Sequence, residues 1–163
     1  MIENQGVKTV VAIVCVIFGV LSIYGIYSGL YKKAHDTDYA YIGDYALYVD
    51  DEGNVEDTSK KGDLLLIKKD DTYAKGEVIL FDHHGDGRLA RISKTSGAKY
   101  YLTDSYESFD SEYEITNVLI VGRVTSRFNK LGLLYNIICT PYASIIILVM
   151  LFFFAMTTLR RNE

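Results

Sequence analysis

Between Lys8 and Lys32 the chain carries no formal charge for 23 residues, from Thr9 to Tyr31. As a helix rising 1.5 Å per residue, this run is roughly 34 Å long, enough to cross a hydrocarbon core of about 30 Å. A cleaved signal peptide would have a shorter apolar region followed by a small-x-small site. Here the run ends in Ser28-Gly29-Leu30-Tyr31-Lys32-Lys33, a poor cleavage site, so an uncleaved transmembrane helix is expected over residues 9–31. A second uncharged stretch covers the 29 residues from Leu131 to Leu159. Inside it Thr140-Pro141 reads as a helix N-cap followed by proline at the first helical position. That start leaves a helix of roughly 28 Å over residues 141–159, closed by Arg160-Arg161, with 131–140 as an interfacial segment. Two spans put both termini on one side of a bilayer and residues 32–136 on the other. Lys8, Arg160 and Arg161 on one side face Lys32, Lys33, Arg127 and Lys130 on the other, so the positive-inside rule does not choose an orientation.

The residues between the spans hold 14 basic and 19 acidic side chains. A negative segment with no basic block excludes a phosphate-backbone reader, so no nucleic-acid partner is expected. It also argues against an anionic lipid surface as the segment's main partner. With 49% hydrophobic residues and 23% charged ones, the chain is not a disordered tail. Its two cysteines, Cys15 and Cys139, lie in the apolar runs and indicate no disulfide framework.

Short β-rich runs recur between turn signals, the pattern of a compact all-β domain. They are Ala46 to Val49, Leu64 to Ile67, Glu77 to Phe81, Arg88 to Ile92, Tyr100 to Leu102 and Val118 to Val124. The two continuous apolar runs, Leu64 to Ile67 and Val78 to Phe81, are consistent with strands buried on both faces. The turn Asp82-His83-His84-Gly85-Asp86-Gly87 makes a hairpin of the third and fourth runs. The fold class is therefore mostly β, a small β domain between two transmembrane helices.

Of the 14 tyrosines, Tyr24, Tyr27, Tyr31, Tyr39, Tyr41, Tyr45 and Tyr48 cluster near the first apolar run. They suit an interfacial belt and strand packing, with a substrate-contacting aromatic strip as the alternative. His83 and His84 flank acidic residues, but adjacent strand residues face opposite ways and rarely supply two ligands, so no metal site is expected. Asp50, Glu52, Asn54 and Glu56 around Gly53 only faintly suggest a calcium loop, since the EF-hand spacing and terminal glutamate are missing. His35 has no visible partner in the sequence. No cofactor is expected.

Two glycine-acid pairs each precede an apolar run: Lys61-Gly62-Asp63-Leu64-Leu65-Leu66-Ile67-Lys68 and Lys75-Gly76-Glu77-Val78-Ile79-Leu80-Phe81. Read back without gaps from Gly62-Asp63, the chain runs Gly53-Asn54-Val55-Glu56-Asp57-Thr58-Ser59-Lys60-Lys61. This order resembles the type I signal peptidases, in the branch shared by endoplasmic reticulum, archaea and spore-forming bacteria. Members of that branch carry a Gly-Ser-Met-Glu-Pro-Thr box, a Gly-Asp strand, a second Gly-Asp strand, a His-Arg-Ile box, a Thr-Lys-Gly-Asp box and a Gly-Lys-Val strand. Gly53, Glu56 and Thr58 match the first box, Arg91 and Ile92 the His-Arg-Ile box, and Gly122-Arg123-Val124 the last strand. Thr103-Asp104-Ser105 stands for Thr-Lys-Gly-Asp, with Asp110 as the trailing acid.

The departures fall on the chemistry. The family's nucleophilic serine aligns with Asn54, its methionine with Val55, its proline with Asp57 and its general base with Ala90. In that chemistry a serine hydroxyl attacks the scissile carbonyl while the adjacent base takes its proton. Asparagine has no such hydroxyl and alanine accepts no proton. Loss of either member of such a unit costs orders of magnitude. Substitute candidates are Ser59, five residues after the nucleophile position, His84, and Lys94, which shares a strand face with Ala90 by period two if that strand continues.

The resemblance implies a cell-membrane protein with cytoplasmic tails at 1–8 and 160–163, spans at 9–31 and 141–159, a linker at 32–45 and an extracytoplasmic β domain at 46–130. It also implies a peptide-binding strand edge. The expected role is non-catalytic: binding or presenting secreted or surface-fibre precursors with signal peptides, or assisting an active signal peptidase. The alternatives are an active serine endopeptidase with a displaced dyad and a structural two-span membrane protein.

Overall fold

The computed structural model describes residues 3–53, 55, 57–103 and 113–160. The chain divides into two compact units, one of Met1–Leu30 with Asn136–Glu163 and the other of Tyr31–Tyr135.

The first unit is helical. Helix α1 covers Glu3–His35, longer at both ends than the expected span because nothing between Lys8 and the flanking residues breaks a helix. Its segment Ala12–His35 is long and apolar enough to cross a bilayer. Helix α2 covers Gly132–Ile138, its first four residues belonging to the second unit, and α3 covers Pro141–Arg160, so the expected 131–140 segment is itself largely helical. Together these two pass the same length and apolarity test, as a pair bent by 76°. Proline begins α3 as expected, because its missing N–H falls where the helix has no acceptor to offer. Thr140 does not cap α3 with its side chain; its Oγ1 donates to the Asn136 carbonyl (2.8 Å). Both cysteines are free thiols.

The second unit is an antiparallel sheet of eight strands in the order β1-β2-β3-β8-β4-β5-β6-β7. The strands are β1 Ala40–Ile42, β2 Tyr45–Val49, β3 Leu64–Lys68, β4 Val78–His83, β5 Asp86–Ser96, β6 Lys99–Thr103, β7 Tyr113–Thr116 and β8 Ile120–Phe128. The order follows the chain except for β8, which inserts between β3 and β4. That insertion brings Leu64 opposite Phe128 and Ile79 opposite Arg123. The expected β4–β5 hairpin is present, with Phe81 opposite Arg88. Its turn is tighter than expected, because the strands extend to His83 and Asp86. His84 (φ 58°) and Gly85 (φ 96°) make both central residues left-handed, the twist that matches a two-residue hairpin.

Two apolar cores lie on opposite faces of the middle strands. Val78, Leu80 and Leu89 join Ala46, Tyr48, Val55, Leu65, Ile67 and Val121 in one. Ile79, Phe81, Ala90 and Ile92 join Tyr73, Tyr100, Leu102, Ile115 and Ile120 in the other. β4 is thus buried on both faces, as its unbroken apolar run suggests. β3 is not: Leu65 and Ile67 are fully buried, whereas Leu64 and Leu66 are only half-buried. β1 lies inside the expected linker 32–45, and both β1 and β7 are edge strands of three or four residues. The compact β unit accordingly begins well before residue 46.

Candidate functional site

The first box of the resemblance lies in the long connection from β2 to β3, and polar contacts with the backbone hold this loop in shape. Asp50, at the end of β2, is fully buried. Its Oδ1 accepts the backbone N–H of Glu52 (3.1 Å) and Gly53 (2.7 Å), and its Oδ2 accepts the Ser59 hydroxyl. The loop closes where Asp50 N–H meets the Asp63 carbonyl (3.0 Å) and Gly62 N–H meets the Asp50 carbonyl (2.7 Å). Val55, on the family's methionine position, is buried in the first core, and its carbonyl accepts N–H bonds from Thr58 and Ser59, both at 2.8 Å. Gly53 is required twice over. Its φ is +74°, and a Cβ there would stand 2.8 Å from the Lys61 nitrogen.

Asp63, of the Gly-Asp pair, fixes the other end. Its carboxylate accepts N–H bonds from Lys60 (2.8 Å) and Lys130 (2.9 Å) and pairs with Arg127 Nε at 2.6 Å. Burial alone would raise the Asp63 pKa. The two backbone donors and the Arg127 guanidinium outweigh it and hold the carboxyl below the usual carboxylate range.

Arg91 ties the loop to the strand that carries the second box. Its guanidinium donates to the Gly76 carbonyl (2.7 Å), to Asp57 Oδ2 (2.5 Å) and to Thr58 Oγ1 (3.3 Å). Asp57 and Thr58 belong to the first box and Arg91 to the second, so the fold joins two boxes that lie 33 residues apart or more. Ala90 is one residue from Arg91 and therefore faces the other way. It is buried in the second core, opposite Ile79. The family's nucleophile position, Asn54, and the trailing acid, Asp110, lie outside the described residues.

The three substitute candidates occupy separate places. Ser59 is completely buried, and its hydroxyl is committed to Asp50. A carboxylate beside a serine hydroxyl is the start of a nucleophile–base pair, but no carbonyl can reach an oxygen sealed in this way. His84 sits in the β4–β5 turn with its ring edge-on to His83, centroids 4.8 Å apart. Four residues of β5, Asp86 to Leu89, stand between this turn and Ala90, roughly 13 Å of strand. Lys94 does not share a face with Ala90. A bulge between Ile92 and Lys94 sets two steps of β5 against one step of β6, which reverses the alternation. Lys94 is exposed, with its ammonium 5.5 Å from the centroid of the Tyr101 ring. Among the described residues no group of three or more His, Cys, Asp or Glu side chains is placed to hold a metal ion.

Three of the clustered tyrosines are tied into the β unit by their hydroxyls. Tyr39 donates to Asp82 (3.0 Å), Tyr41 to the Val121 carbonyl (2.8 Å) and Tyr48 to the Gly87 carbonyl (2.7 Å). Burial, and for Tyr39 the bond to Asp82, raises the phenol pKa; Tyr41 is pushed up to about 12. Tyr39 and Tyr41 also line an open cleft of about 480 Å³ with Lys69, Asp82 and Asn117.

Arg127 and Asp50 carry much of this arrangement, and the sequence pattern did not single them out for it. Asp50 stood out only as one acid among several, and Arg127 only as a charge near the second apolar run. The pairing of β3 with β8 is what brings Arg127 to Asp63, across 64 residues of chain. No protein-family model and no curated protein matches the chain.

Proposed function

We propose that this is a membrane-anchored, signal-peptidase-like protein that binds chains without cutting them. α1 and α3 serve as its two spans, with both termini cytoplasmic and the β unit outside the cell membrane. Its clients are secreted or surface-fibre precursors bearing signal peptides, or it assists an active signal peptidase. One observation carries this reading: the loop of the first box is joined to the strand of the second by Arg91, Asp57 and Thr58, while the residues on the chemical positions are Asn54 and Ala90. These contacts support the reading of a signal-peptidase-like scaffold, in which neither Asn54 nor Ala90 can serve as nucleophile or base.

The test uses the full-length protein in lipid with a signal-peptide-bearing precursor. No cleavage is expected. A photocrosslinker in place of exposed Lys61, at the rim of the loop, is expected to recover precursor or peptidase from membranes. Cleavage by the wild type overturns the non-catalytic reading, and recovery of neither partner overturns the binding role. The Ser59→Ala variant separates the rival enzyme: a serine peptidase rebuilt on Ser59 predicts that this change abolishes cleavage.

A further inference from the structure

We propose that the cleft beside Tyr39 and Tyr41 is a binding site for a small organic acid, an apolar body that ends in one carboxylate. All of its walls belong to the second unit. Tyr39 and Tyr41 at β1 meet Lys69 just after β3, Asp82 in β4 and the turn Asn117–Leu119 that leads into β8. The insertion of β8 between β3 and β4 is what gathers segments so far apart in the chain. At about 480 Å³ the cleft lies in the size range of small-molecule sites, roughly 300–1,000 Å³.

The polar groups around the cleft decide the charge of its occupant. Asp82 brings a negative charge, and both its oxygens are already taken. Oδ1 accepts the Gly85 N–H (2.8 Å) and Oδ2 the Tyr39 hydroxyl (3.0 Å). The Tyr41 hydroxyl donates to the Val121 carbonyl at 2.8 Å. Burial raises both phenol pKa values, so the two rings stay neutral. Two side chains still have N–H groups to give. Asn117 spends one on the Asp71 carbonyl (3.3 Å) and keeps its second. Lys69 makes no ion pair among the described residues, although Lys68 beside it pairs with Asp70 at 3.3 Å. The Lys69 ammonium stands 5.9 Å from the Tyr41 ring centroid, a contact that keeps the charge beside the cleft.

One cation and one amide N–H call for a group with a single negative charge and two oxygens, which is a carboxylate. A phosphate dianion would find one cation and, at Asp82, a like charge. The remaining wall is hydrocarbon: Val118 is 92% exposed and Leu119 41%, side chains that gain by covering an apolar body. A free acid suits this lining better than the end of a chain. Each residue of a covered peptide brings an N–H and a C=O that must be paired, whereas the side chains here offer two donor groups, enough for the carboxylate alone.

Neither membrane anchoring nor the peptidase-like role is needed for this site. The test is a chemical-shift titration of isotope-labelled full-length protein in lipid nanodiscs, with hydrocinnamate as the probe. The side-chain amide of Asn117 and the backbone amides of Val118 and Leu119 are expected to shift and saturate, with a Kd on the order of 1 mM for a ligand of this size. Hydrocinnamamide, which lacks the charge, is expected to bind about tenfold more weakly, and Lys69→Met to weaken hydrocinnamate by the same factor. Lys69→Arg is expected to keep the affinity. Lys69 is exposed, so neither variant threatens the fold. Absence of shifts at the three reporting residues overturns the site. Equal binding of acid and amide, or of wild type and Lys69→Met, overturns the carboxylate. Tighter binding of N-acetyl-alanyl-alanyl-phenylalanine than of hydrocinnamate overturns the free acid in favour of a chain end.

Discussion

The helical unit and the β unit solve the same problem, close approach of chain to chain, with opposite chemistry. In the helical unit small residues allow the contact. A Cβ on Gly25 would stand 2.3 Å from Ser144 Oγ and 2.4 Å from the Ile138 carbonyl, and one on Gly29 would stand 2.3 Å from Pro141 Cγ. Ser22, Ser28 and Ser144 are fully buried there. Where the helices part, an apolar groove of about 460 Å³ opens between side chains such as Val14, Phe18, Met150 and Phe154. Tight backbone contact of this kind is how helices associate where no water drives apolar faces together, the setting proposed above for α1 and α3. In the β unit apolar cores do the bulk of the work, and charges set the loops. Asp50, Asp63 and Arg127 bind backbone groups of the loop between β2 and β3, and Arg91 binds its Asp57 and Thr58 side chains. The comparison shows that small residues set the close approach in the helices and charged ones in the loop, while a buried serine hydroxyl donates in both settings, Ser144 to the Ile138 carbonyl and Ser59 to Asp50.

The largest expected effect lies in the β unit. Asp63→Ala strands Arg127 and frees the N–H groups of Lys60 and Lys130, so a loss of about 3–5 kcal/mol is expected, measured by denaturant unfolding followed through the tyrosines. The same group sets an acid limit. Because its folded pKa is depressed, Asp63 stabilises the fold fully above its unfolded pKa and loses that contribution as pH falls through the folded value. Acid unfolding of the wild type below about pH 4 is therefore expected to be steeper than that of Asp63→Asn, with the two curves parallel at neutral pH. Parallel curves throughout would show that Arg127 and the backbone donors hold a carboxylate no better than water does.

Next comes the helical unit, where a single methyl group is the perturbation. Gly25→Ala is expected to cost about 1–3 kcal/mol through overpacking, read as a lower melting temperature of the α1–α3 pair in detergent. Gly19→Ala is the matched control. A Cβ at Gly19 meets nothing within 4 Å, so the change is expected to be neutral or to gain up to ~1 kcal/mol of helix propensity. If both variants behave alike, tight contact is not what joins these helices. Ser59→Ala, last in order, removes one donor from the buried Asp50 carboxylate and is expected to cost about 1–2 kcal/mol, while crosslinking to clients persists. Loss of client capture at unchanged stability would mean that Ser59 acts in function after all.

Several features could be read directly from residue order. The charge-free run from Thr9 to Tyr31 announces α1, Thr140-Pro141 marks the start of α3, and the Asp82–Gly87 turn between apolar runs gives the β4–β5 hairpin. These signals are local: periodicity, charge and turn residues act within a few positions of one another. β1 and β7 escaped notice because edge strands of three or four residues are too short for alternation to register. Leu64 to Ile67 reads as doubly buried, yet Leu64 and Leu66 stay half-open, since an apolar run reports what can be buried and not what covers it.

The candidate site divides along the same line. By itself the sequence determined that Asn54 and Ala90 offer neither a nucleophilic hydroxyl nor a proton acceptor, because residue identity alone decides this. Tertiary structure alone decided that Ser59 is sealed against Asp50, that a bulge after Ile92 turns Lys94 away from Ala90, and that Arg127 meets Asp63. Each of these depends on strand pairing between distant segments, where one extra residue reverses a face and one inserted strand makes neighbours of residues 64 positions apart.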